Sequence, residues 1–208
     1  MVSQAPARRG LDRFLHDLHE AGDTGNVRLL ADRIARHAPA DEVDLVCALL
    51  KAMAMAQRGC VLALIGKADD AVQTISVAIT AYRSTGATVW ITSFLSYLAL
   101  AYADLGKFDD AKRCIGQATT VIDTAKERWF EAEVHRIAGE IALRSPEPDA
   151  AKAKAYFQRA LVVARQQQAK SWELRAAMSL TRLWRDQGKL QQASSFPVQS
   201  SRTSPLIM

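Results

Sequence analysis

The chain has 208 residues, 49% of them hydrophobic and 24% charged. That is enough apolar material for one large domain or a short repeat array, and too much for global disorder. Aromatics make up 7% against 36 alanines, a balance that suits closely packed helices better than a β-sandwich. The formal net charge of +5 is dispersed, with no basic run longer than two residues, which argues against a dedicated nucleic-acid arm.

Cys47, Cys60 and Cys114 are odd in number, widely spaced and set in apolar stretches. They read as buried, reduced thiols of a cytoplasmic protein. At the N-terminus, MVSQAPARRG is followed by the amphipathic LDRFLHDLHE rather than a continuous apolar run, so no targeting segment is expected. Residues 45–65 form the longest apolar stretch, but Lys51, Gln57 and Arg58 interrupt it, and a membrane span is not expected.

A pair of alanines seven residues apart recurs along the chain: Ala31/Ala38, Ala71/Ala78, Ala111/Ala118 and Ala153/Ala160, with Ala193 as a fifth mark. The first members are 40, 40, 42 and 40 residues apart. Turn signals stand five residues before three of them, at Gly66-Lys67, Gly106-Lys107 and Gly188-Lys189. Trp90, Trp129 and Trp172 each precede a turn (Gly106, Ser145, Gly188) by 16 residues. Independent markers sharing one period define a repeat.

One unit shows the physics. Leu95, Leu98, Ala99 and Tyr102 give an apolar helical face, and Gly106 stops that helix with a residue that tolerates the left-handed conformation. A second helix begins near Phe108, with Asp109 and Asp110 in the first turn where the helix dipole favours acids. Ala111 and Ala118 are small where two helices cross closely. In chain order the register predicts helices over 10–22, 27–38, 42–65, 68–84, 89–105, 108–126, 129–144, 149–168 and 172–187. The repeat domain spans 10–193 and is all-α. It is expected to form a right-handed α-solenoid of about four and a half hairpins, flanked by disordered segments at 1–9 and 194–208.

The pattern Leu98-Ala99-x-x-Tyr102 … Gly106-Lys107-Phe108-Asp109-Asp110-Ala111 … Ala118 resembles a tetratricopeptide repeat with lengthened helices. More narrowly, residues 124–143 and 156–189 are similar to the C-terminal repeats of bacterial signalling proteins. In those proteins a class III adenylate/guanylate cyclase or other regulatory domain precedes a predicted P-loop ATPase. The similarity covers about residues 80–193. It implies a non-enzymatic scaffold, or a fragment of one, that binds a protein or peptide. The alternative is a module of a transcription regulator acting through protein partners.

The enzymatic parts of such proteins are not expected here. Gly59 to Ala68 has six residues between its glycines and Ala68 where a phosphate loop needs a hydroxyl, so no nucleotide site is read there. His16 and His19 share a helix face with His37 more distant, but no Cys or carboxylate pair at metal spacing accompanies them. His135 reads as a packing residue. No catalytic group, cofactor or metal ligand is assigned.

The resemblance implies that the first helix of each hairpin lines a concave groove. On the last first-helix the groove positions are read as Arg175, Met178, Arg182 and Arg185, a single stripe. Glu133, Arg136 and Glu140 in the previous repeat, and Ser93, Ser96 and Leu100 before it, are placed at the same level. Such a stripe suits an acidic peptide, since arginine grips carboxylates bidentately. Direct nucleic-acid contact is not expected. After Ala193 the chain reads SSFPVQSSRTSPLIM, with two prolines and five serines, where a further helix is due. Repeat arrays normally end in a polar cap. Its absence suggests self-association through the last helix, docking onto a larger partner, or a product whose final codons are read out of frame.

Overall fold

The computed structural model describes residues 40–189, with side chains from residue 44 onward. The helices expected over 10–22 and 27–38, His16, His19 and His37, and both terminal segments lie outside the described residues. Within them the chain is all-helical, with seven helices and no strand. These are α1 (Ala40–Leu64), α2 (Ala68–Ser84), α3 (Ile91–Asp104), α4 (Phe108–Ala125), α5 (Glu131–Arg144), α6 (Ala150–Gln166) and α7 (Lys170–Asp186).

Consecutive helices pair as hairpins, α1 with α2, α3 with α4 and α5 with α6. Each even-numbered helix also packs on the odd-numbered helix that follows it. Odd-numbered helices additionally touch along the series α1, α3, α5, α7. The six alanines Ala71, Ala78, Ala111, Ala118, Ala153 and Ala160 are fully buried, because a larger side chain would hold the paired helices apart. Two glycines mark the closest crossings. A Cβ on Gly59 would meet Ile75 Cγ1 at 2.5 Å, and one on Gly139 would meet Phe157 Cε1 at 2.4 Å. Ile75 and Phe157 stand four residues after Ala71 and Ala153, the first alanine of the spaced pair in each helix.

The turns repeat as well as the crossings. Gly66, Gly106 and Gly188 have φ between 72° and 78°, the left-handed geometry that glycine enters without a Cβ penalty. After each glycine, a lysine amide (Lys67, Lys107, Lys189) reaches back to the carbonyl of Leu62, Tyr102 or Trp184 at 2.8–2.9 Å. The preceding helix thereby recovers an otherwise unpaired acceptor. At the start of α6, Asp149 accepts from the Lys152 amide at 2.8 Å, a side-chain N-cap.

Ties between neighbouring hairpins span about one repeat. Trp129 Nε1 donates to the Val89 carbonyl at 3.1 Å, Gln167 Nε2 to the Arg128 carbonyl at 2.6 Å, and Arg144 to Asp104 at 2.6 Å. Aromatic edges continue the series: Trp90 against Trp129 with centroids 4.7 Å apart, and Phe130 against Trp172 at 5.3 Å. The recurring tryptophans therefore pack in the joints between hairpins, where a large ring fills the gap, and the Trp129 donor finds a carbonyl there.

Candidate functional site

Glu133 has only 1% of its surface exposed, and a buried carboxylate requires partners. Arg136, one turn on, donates to it through Nε and Nη2 at 2.9 and 2.7 Å, a bidentate grip. Arg175 reaches across from α7 and donates to the same carboxylate at 2.5 Å. Glu140, another turn along α5, accepts from Arg136 at 3.1 Å and from the Ser179 hydroxyl of α7 at 2.8 Å. Burial alone would lower the pKa of Arg136. Hydrogen bonding and charge from Glu133, then Glu140, outweigh it and hold the guanidinium above its ordinary value. The Tyr97 phenol is pushed up by burial and then by the Glu133 charge. Two acids and two arginines thus form an internally neutral network joining α5 to α7.

The sequence places Glu133, Arg136 and Glu140 level with Arg175, Met178 and Arg182, and the structure joins the two sets through Arg175–Glu133 and Ser179–Glu140; counted from the tryptophan and turn marks, the correspondence is offset by one residue. Trp129 and Trp172 are 43 residues apart, as are Ser145 and Gly188. Arg175, Met178, Arg182 and Arg185 therefore correspond to Ala132, His135, Gly139 and Ala142 of α5. That register faces α6. Ala132 clusters with Val163 and Ala164, the His135 ring stacks on Tyr156 with centroids 6.3 Å apart, and Gly139 abuts Phe157. The acid–arginine triplet of α5 lies one residue round, toward α7.

Ser93 and Ser96, expected to line the groove, are buried, and their hydroxyls donate to the carbonyls of Trp90 and Thr92 at 2.8 and 2.7 Å. Small hydroxyl residues sit there because that face of α3 is inside, and each bonds its own helix in place of water. Leu100 is half-buried. On α7 the same register is open: Arg175, Met178, Arg182 and Arg185 are all exposed. Arg175 is held by Glu133 and lies over the Trp172 ring at 5.5 Å, while Arg185 contacts Asp186 at 3.3 Å. Among the described residues Arg182 has no ion-pair partner. Leu174 and Met178, each 45% exposed, add apolar surface beside it.

The remaining chemistry-bearing groups are placed as follows. Cys60 and Cys114 are buried, and burial pushes their thiols up to about 12 and about 11. Cys47, expected inside, is exposed on α1, because its position on the helix turns away from the Leu49 and Ala52 face that meets the core. His135 is lowered by burial first, with Glu131 opposing. Glu173, buried at the start of α7, is held below the usual carboxylate range by hydrogen bonds from Arg165 and Lys170. A cleft of about 750 Å³ opens between α4 and the α5–α6 hairpin, with Lys112, Ile115, Ile141 and Tyr156 in its walls. Among the described residues no group of three or more His, Cys, Asp or Glu side chains could hold a metal ion. One segment, Asp44–Leu64, is long and apolar enough by composition to cross a membrane. Its Ala52, Ala56, Cys60 and Ala63 are buried against the rest of the fold.

No protein-family model matches this chain, and a search of curated proteins finds no match.

Proposed function

We propose that the chain is a non-enzymatic scaffold that binds an acidic segment of another protein. On this reading it is a right-handed solenoid of tetratricopeptide-like hairpins, working in the cytoplasm. We further propose that it is a regulatory module, of the kind linked to nucleotide cyclases and ATPases in bacterial signalling proteins. The observation that carries the binding role is the α7 stripe: three exposed arginines flanking Met178, with Arg182 lacking an ion partner among the described residues. Arg175 completes the neutral Glu133–Arg136–Glu140 network, so the unanswered positive charge of the stripe lies at Arg182, with Arg185 beside Asp186.

The test is co-purification from a lysate of the source cell with mass spectrometry, comparing wild type with Arg182→Glu/Arg185→Glu. Both side chains are exposed, so the double variant should keep its helical circular dichroism. A partner retained by wild type and released by the variant supports the reading. A partner that both retain equally removes the α7 stripe as the binding surface.

A further inference from the structure

No further inference is drawn: the strongest candidate, the cleft of about 750 Å³ between α4 and the α5–α6 hairpin, sets Lys112 and Lys152 beside Glu147 and Asp149 in its walls, so its charge selects no ligand and nothing in the structure shows what covers it.

Discussion

The close crossing of α5 and α6 makes a quantitative prediction about a single methyl group. Gly139 is buried, and a Cβ there would lie 2.4, 2.7 and 3.0 Å from three atoms of the Phe157 ring. Phe157 is itself fully buried, packed in the cluster that holds Ala153, Leu161 and Leu180. A ring enclosed in this way has no empty rotamer to move into, so the paired helices must separate. Overpacking of this kind costs roughly 1–3 kcal/mol, and two approaches below 3 Å place it near the upper end. Replacing glycine by alanine inside a helix returns roughly 0.8–1.0 kcal/mol of propensity. Gly139→Ala should therefore be destabilising by about 2 kcal/mol, lowering Tm by roughly 4–8 °C for a chain of this size. Gly116, in the middle of α4, is the internal control, since nothing lies within 4 Å of its Cβ position. Gly116→Ala collects the propensity gain alone and should raise Tm by roughly 2–4 °C. Urea and thermal unfolding followed at 222 nm decide the matter. If Gly139→Ala is as stable as wild type, or if the two variants shift in the same direction, the close-crossing argument fails.

Three further outcomes are expected. Glu133→Ala leaves Arg136 half-buried with Glu140 and the Ser179 hydroxyl as its remaining partners and should cost about 3 kcal/mol in urea unfolding; a change under about 0.5 kcal/mol would show that the network is not a structural tie. An aromatic disulfide reagent at pH 8 should titrate Cys47 promptly, whereas Cys60 and Cys114 should react only on unfolding, since burial pushes their thiols up to about 12 and about 11. Fast modification of all three in the native protein would contradict this packing. His135 is lowered from 6.5 by burial, so the unfolded chain takes up its proton first. The stability that the neutral imidazole contributes is complete above pH 6.5 and is lost as the pH falls below it toward the lower folded value. Comparing urea midpoints of wild type and His135→Gln between about pH 7.5 and 5 should show a steeper loss in wild type; parallel curves would mean that burial does not perturb this ring.

Much of the scaffold was legible without a structure because its determinants are local and repeated. Alanines seven apart, Gly-Lys turns and paired aspartates after them each act within one or two helical turns. They located α2 and α4 to within a residue, and the others to within about two. Glu133, Arg136 and Glu140 stand three and four residues apart, so their pairing along α5 was also open to view. The exposure of the residues expected to line a groove was not. Which side of α3 and α5 faces solvent depends on how α4 and α6 lie across them, and a one-residue error in register turns a helical face by about 100°. Ser93 and Ser96 look polar and surface-seeking in sequence, yet their hydroxyls bond their own helix and the side chains go inside.

The amino-acid sequence by itself determined the helical content, the period of about forty residues, the turns and the small residues where helices cross. Each follows from backbone conformation or side-chain size at one position. Only the tertiary structure decided which polar residues are spent inside and which remain available. It closed Glu133 between two arginines from different helices, buried two serines, turned Cys47 outward and left the α7 arginines open in a register that α6 covers on α5. The closure of Glu133 and Glu140 depends on contacts with residues 42 and 39 positions away, where burial, not local propensity, sets whether a charge must find its partner within the chain.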